Sequence, residues 1–243
     1  YYKIGYVYYK LFDYKKSLIY LNWSYKFFDK NGMKLESIPN LRSISFNYTY
    51  LYKFDKALKT IFEALNIAKS LKMQNEIINI LLQINQIYTI KEDFENALKY
   101  LDESYKVSLK IKDFNLFDIN VGYSNTYKDV DNLVKAYEYY QKALNSKELS
   151  DNQKAYLYEL YGEILYKDNK YKEALTFFQD SLKNAKKMND LHRILSVEEN
   201  LAYTYKKLVN SAMANRFFME VINKLKIINK THPKIKKLEE ELK

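Results

Sequence analysis

The chain has 243 residues, of which 47% are hydrophobic and 29% charged, with four glycines, two prolines and no cysteine. The lack of cysteine excludes disulfide bonds and a thiol nucleophile, and the scarcity of glycine and proline argues against a β-sandwich and favours helices. No run of about 18 apolar residues is present, so we expect no membrane span. The net charge is +10, but the lysines are dispersed without an arginine-rich cluster or base-stacking motif, so nucleic acid is not an expected partner.

An internal repeat runs along the chain from its first residues. Small residues follow a short polar break at intervals of 40, 40, 39, 38 and 40, namely Ser17, Ala57, Ala97, Ala136, Ala174 and Ala214. A bulky residue lies nine positions before each of them, and another lies four positions after. Spacings of three and four place such residues on one helical face. Each unit is therefore predicted to be a helix, a short turn and a second helix, and neighbouring units must stack to bury both faces.

In chain order, the predicted repeats cover residues 1–35, 36–74, 75–114, 115–152, 153–190 and 191–230. The clearest copy is YGEILYKDNKYKEALTFFQDSLKNAKK at 161–187, in which KDN is the predicted turn. Two helices approach closely only where one offers a small residue, so Gly162 and Ala174 are the predicted points of close contact. Thr231 with Pro233 predicts the start of a last helix, and residues 231–243 are predicted to cap the stack.

The repeat resembles the tetratricopeptide repeat, or TPR, whose signature combines an aromatic and glycine-containing first helix with an Ala-x3-Phe second helix. Tyr158, Tyr161 and Gly162 match the first helix, and Ala174, Phe178 and Ser181 match the second. The period is about 40 residues instead of about 34, and the added residues are assigned to the ends of the second helices. Repeats of this length are similar to those of bacterial peptide-sensing regulators of the Rap and PlcR type. The resemblance implies an all-α fold, a right-handed superhelical solenoid of about six helix-turn-helix repeats with a C-terminal capping helix.

Catalytic and metal-binding patterns are missing from the sequence. His192 and His232 stand in no metal-ligand spacing, and we interpret them as surface or helix-end residues. The adjacent glutamates Glu198 and Glu199 are interpreted as solvated charge, and Trp23 as part of the core. There is no glycine-rich phosphate loop and no nucleophile elbow. We therefore predict no catalytic residue, no metal and no cofactor.

The resemblance implies a ligand groove lined by first-helix residues that the repeat consensus leaves free. Such solenoids hold an extended peptide or a partner helix on this side. Asparagine and glutamine can pair with peptide amides, and tyrosine offers apolar area with a hydroxyl group. The chaperone-binding subclass uses a lysine and asparagine clamp, but Val121 stands where that lysine should be, which argues against that ligand. The predicted groove residues are Arg42, Phe46, Gln86, Asn125, Lys128, Glu159, Glu163, Tyr166, Tyr203 and Lys206, with Tyr6, Tyr9, Thr49 and Leu82 on the same face.

The leading hypothesis is a noncatalytic scaffold or regulatory domain that binds a protein or peptide, without a small-molecule substrate. The alternative is a cytoplasmic receptor for a signalling peptide of the Rap or PlcR type, controlling transcription or a phosphorelay. A hydrolase using Glu159 and Glu163, which share a helical face, is the third class. We expect a cytoplasmic location and leave homodimerisation open. Because the chain begins at Tyr1 instead of methionine, we interpret it as a fragment or a processed product.

Overall fold

The computed structural model describes residues 1–230 and 232–242 and is all-helical over these residues. The helices in the described residues are α1 (Tyr2–Lys10), α2 (Tyr14–Lys30), α3 (Lys34–Tyr50), α4 (Phe54–Ser70), α5 (Gln74–Ile90), α6 (Phe94–Ser108), α7 (Phe117–Asp129), α8 (Leu133–Leu144), α9 (Asp151–Lys167), α10 (Tyr171–Lys187), α11 (Leu191–Lys207), α12 (Ser211–Ile228) and α13 (Pro233–Glu240). The predicted all-α architecture of consecutive helix pairs followed by a last helix is confirmed.

Most first and second helices have the same length. Helices α3, α4, α5, α9, α10 and α11 each have 17 residues. The residues that lengthen the repeat are therefore shared by both helices, and the prediction that they lie only at the ends of the second helices is wrong. The boundaries of the six repeats stay a prediction, as does the capping role of residues 231–243. Thr231, predicted to start the last helix, lies outside the described residues; the side chain of His232 accepts from the Lys234 backbone N–H at 3.2 Å.

The turn inside each helix pair ends in a left-handed residue that is not glycine. These residues have φ between 55° and 63° and are Phe12, Tyr52, Glu92, Asp131, Asn169 and Val209. In the first turn, the backbone N–H of Asp13 donates to the carbonyl of Tyr8 at 2.9 Å, which is the long bond of a Schellman motif. This motif satisfies carbonyls at the end of the first helix and turns the chain into the second.

The predicted close contact in the repeat at 161–187 is present. A Cβ atom built on Gly162 would lie 2.7 Å from Cε1 and 2.8 Å from Cδ1 of Phe178. Phe178 is 1% exposed, so its ring is held in the interior by its packing against neighbouring side chains. Ala174, the second predicted contact point, is buried in the same hydrophobic cluster. The small residues of the repeat are thus required by the approach of the paired helices.

Two compact units, Tyr1–Thr126 and Tyr127–Lys243, divide the chain. The first has a core of isoleucines and leucines from α3 to α5, including Ile61 and Leu81, and the second is packed around Leu165, Phe178 and Leu201. Trp23 does not belong to the core as predicted. It is 49% exposed, and its ring forms T-shaped contacts with the rings of Tyr1 and Tyr20.

Candidate functional site

A cavity of about 250 Å³ opens within the second unit, where residues of several helices converge. The residues that line it are Lys128, Asp129, Glu163, Tyr166, Lys167, Phe178, Asn200 and Tyr203. They come from the end of α7 and from α9, α10 and α11. Four of them, Lys128, Glu163, Tyr166 and Tyr203, are predicted groove residues, so the repeat spacing brings distant parts of the sequence to one place. We call this the α9–α11 cavity.

Glu163 is the polar centre of the cavity wall. One of its oxygens accepts from the Lys128 ammonium and the other accepts from the Asn200 side-chain amide at 3.2 Å. Lys128 is only 8% exposed. Burial opposes its charge, but the nearby carboxylates of Glu163 and Asp129 outweigh this effect and raise the pKa of Lys128. Three helices are thus linked through one carboxylate that borders an open space.

Glu159, one helical turn before Glu163, is engaged in a separate cluster. It accepts from the Ser196 hydroxyl at 2.6 Å and from the Arg193 guanidinium at 3.0 Å. Burial raises the pKa of the Glu159 carboxyl to about 7, and the charge of Glu163 adds to this, while Ser196 and Arg193 oppose it. Arg193 also lies over the ring of Tyr156, with 5.1 Å from its Cζ to the ring centroid.

The predicted openness of this face is therefore wrong in part. Glu159 is 7% exposed and Lys128 is 8% exposed, so both are partnered residues that hold α7, α9 and α11 together. Thr49 in the first unit is 3% exposed and bonds to the carbonyl of Ser45 at 3.0 Å. Glu198, predicted to be solvated, is fully buried and accepts from Lys224 at 2.7 Å. The sequence predicts the charged residues among them to be at the surface because the opposite charges that pair with them lie 26 to 35 positions away.

Tyr203 and Lys206 of α11 meet the residue that follows α13. The carboxylate of Glu241 accepts from the Lys206 ammonium at 2.8 Å and from the Tyr203 hydroxyl at 3.4 Å. The ring of Tyr203 packs edge-on against Phe218, with 5.1 Å between centroids. Tyr166 packs edge-on against Tyr171 at 5.3 Å. Both tyrosines are therefore held by their rings at the cavity wall.

The predicted residues of the first unit lie elsewhere and are described separately. Arg42 and Phe46 line a cavity of about 330 Å³ with Tyr6 and Tyr9. Arg42 donates to Gln83 at 3.3 Å and forms an ion pair with Glu76 at 3.2 Å.

The other predicted residues of the first unit do not line that cavity. Gln86 is exposed on α5, and Leu82 is partly buried. Asn125 donates to the backbone carbonyl of Val121 at 3.1 Å.

Several residues of both sites were not predicted. Asn200, Asp129 and Phe178 line the α9–α11 cavity, and Gln83 both accepts from Arg42 and donates to its backbone carbonyl at 2.9 Å. Asn200 lies two positions before Ala202, the repeat equivalent of Gly162, and Gln83 lies two positions before the equivalent Asn85, so Asn200 and Gln83 occupy the same point of the repeat. The signal that could have found them is this period applied to polar residues as well as to apolar ones.

Neither a metal site nor a membrane-spanning helix is found among the described residues. Histidine, aspartate and glutamate side chains there do not gather into a group of three that could hold a metal ion. None of the described helices combines the length and apolarity that crossing a bilayer requires.

The fold is that of a TPR-like helical repeat protein. No family model matches the chain, and no curated protein matches it. A Rap protein complexed with Competence and Sporulation Factor superposes with a TM-score of 0.67 and 13% identity, over 99% of this chain and 72% of that one.

Two further solved structures have the same fold. The apo form of the quorum sensor NprR from B. thuringiensis gives a TM-score of 0.64 and 18% identity, over 97% of this chain and 68% of the other. BtubC (BKLC) from P. vanneervenii gives 0.58 and 16%, over 92% of each chain. At such identities the similarity is one of fold alone.

Proposed function

We propose that this chain is a noncatalytic TPR-like domain that binds a short peptide or a peptide segment of a protein, and that the ligand's side chains enter the α9–α11 cavity. The observation that carries the proposal is the convergence of Glu163, Tyr166, Asn200 and Tyr203 on one open space. Amide, carboxylate and phenol groups together can pair with both the donors and the acceptors of a peptide backbone.

The size of the cavity favours peptide side chains over a small molecule. Small-molecule sites usually enclose about 300–1,000 Å³, and this cavity is about 250 Å³. Its tyrosine rings are already fixed by Phe218 and Tyr171, so little side-chain freedom is lost when a ligand packs on them. A peptide that continues along the face would place only one or two side chains in the cavity.

A signalling peptide is the more specific form of the proposal. Two structures with this fold are a Rap protein in complex with Competence and Sporulation Factor and the quorum sensor NprR. Their fold supports a regulatory role for this chain, in which peptide binding controls transcription or a phosphorelay in the cytoplasm. The central binding proposal requires only the α9–α11 cavity and does not depend on this output.

The test is to select ligands from a phage-displayed library of random heptapeptides and to measure their affinity by fluorescence anisotropy. Asn200→Ala and Tyr166→Ala should each weaken a selected peptide about 5- to 30-fold, the range of an interface residue worth 1–2 kcal/mol. The matched controls are Asn184→Ala and Tyr105→Ala, which remove the same kinds of side chain at positions that do not line the cavity. Equal affinity of the cavity variants and the controls would refute the assignment of the site.

A further inference from the structure

A carboxylate of the chain itself lies at the edge of the α9–α11 cavity. Glu241 follows α13, and its carboxylate meets the Lys206 ammonium at 2.8 Å and the Tyr203 hydroxyl at 3.4 Å. Tyr203 is also a wall residue of the cavity. The group that Tyr203 and Lys206 bind in the free chain is therefore an anion placed next to the proposed peptide site.

The segment that carries Glu241 is anchored independently of this contact. Ile235 and Leu238 of α13 are buried, and Lys234 forms an ion pair with Glu199 of α11 at 2.6 Å. The side chain of Lys206 is 53% exposed and that of Glu241 is 26% exposed. Ion pairs at such exposed positions contribute little to stability, so Glu241 can leave Lys206 while α13 stays in place.

The chemistry around Glu241 is that of a carboxylate site. The hydrogen bond from Lys206 is the main reason why the pKa of Glu241 is lowered, so this carboxyl is charged at neutral pH. Burial, assisted by the charge of Glu241, raises the pKa of Tyr203 to about 12, which keeps its hydroxyl a donor. The same charge contributes to the raised pKa of Tyr166, behind burial and the neighbouring Tyr171.

We propose that Tyr203 and Lys206 form a carboxylate-binding subsite, which Glu241 fills in the free chain and which a carboxylate of the bound peptide takes over. The ligand is then an acidic peptide, and the C-terminal segment competes with it. This inference rests on the proposed peptide-binding function and specifies the chemistry of its ligand. The carboxylate can come from a side chain or from the C-terminus of the peptide, and the experiment separates the two.

The probes are three pools of hexapeptides that carry a dye without a carboxylate, exclude aspartate and glutamate from their randomised positions, and differ only in the carboxylates introduced. One pool has glutamate at a fixed position and an amidated C-terminus, the second has glutamine there and a free C-terminal acid, and the third has glutamine and an amide. Anisotropy is measured with the full chain, with Glu241→Gln and with Lys206→Met. Glu239→Gln is the matched control, because it removes the same charge from the same segment but breaks the pair with Lys226 at 2.7 Å.

Glu241→Gln should tighten the binding of one carboxylate pool about threefold and leave the third pool unchanged, because an exposed ion pair competes only weakly. Lys206→Met should weaken the same pool by a similar factor, and Glu239→Gln should have no effect. The pool that responds identifies the source of the carboxylate. Equal binding of all pools, or equal effects of Glu241→Gln and Glu239→Gln, would overturn the subsite while peptide binding stands. Failure of every pool to bind any variant would overturn the proposed function and the subsite with it.

Discussion

Replacing Gly162 by alanine tests the close contact on which the repeat depends. The new Cβ would lie 2.7 Å and 2.8 Å from two atoms of the Phe178 ring, which is 1% exposed and would have to shift to make room. Overpacking of this kind costs about 1–3 kcal/mol. Alanine gains about 1 kcal/mol over glycine inside a helix, so the expected net loss in the free energy of unfolding is about 1 kcal/mol.

The assay is urea unfolding followed by circular dichroism, with a double-mutant cycle. In the background of Phe178→Leu the clash is relieved, and Gly162→Ala should then stabilise by up to about 1 kcal/mol, which gives a coupling energy of about 2 kcal/mol. Gly122→Ala is a second test of the same reasoning: its Cβ would lie 2.6 Å from Cδ2 of Leu101, which is 0% exposed, so it should lower the free energy of unfolding by a similar amount. Stabilisation by Gly162→Ala with no coupling to Phe178 would refute the reasoning.

Three further predictions concern stability. Asn40 is fully buried and its side-chain amide has no hydrogen-bond partner among the described residues, so Asn40→Leu should raise the unfolding free energy by about 2 kcal/mol. In the same urea assay, Ile80→Asn, at the equivalent position 40 residues later, should lower it. Val209 has a φ of 58°, which is strained for a β-branched residue, so Val209→Gly should raise the melting temperature by about 2–4 °C, while Asn169→Gly should change it little. Burial raises the pKa of Glu159 to about 7, above its unfolded value of about 4.3, so the folded state favours the protonated form. The free energy of unfolding should therefore fall as the pH rises from about 4.3 to 7. In a pH series of urea unfolding curves, Glu159→Gln should remove this dependence.

The fold could be predicted from the sequence because the same spacing of small and bulky residues recurs six times along it. A small residue such as Ala174 and a bulky one such as Phe178 are four positions apart, and each copy carries the same requirement for close approach. Polar breaks predict the turns but not their left-handed residues, since among the left-handed positions of the described residues only Gly32 is a glycine. Phe12 and Val209 give no sequence signal for that conformation.

The site could be predicted only in part. First-helix spacing predicts Tyr166 and Tyr203, which line the α9–α11 cavity, because a residue's position in the repeat decides the face on which it lies. It could not show that Glu159 is buried against Arg193 and Ser196, since burial of a charge depends on a partner from the next repeat. The contact of Glu241 with Lys206 could not be predicted either, because residues after the last repeat follow no period.

The most direct test of the central claim is hydrogen–deuterium exchange of the chain with and without a selected heptapeptide. If the α9–α11 cavity is the binding site, protection should rise in the peptic fragments that contain Tyr166 and Asn200, and fragments of α4, which lies in the other unit, should not change. Protection confined to α4 and its neighbours, with none at Tyr166 or Asn200, would contradict the account.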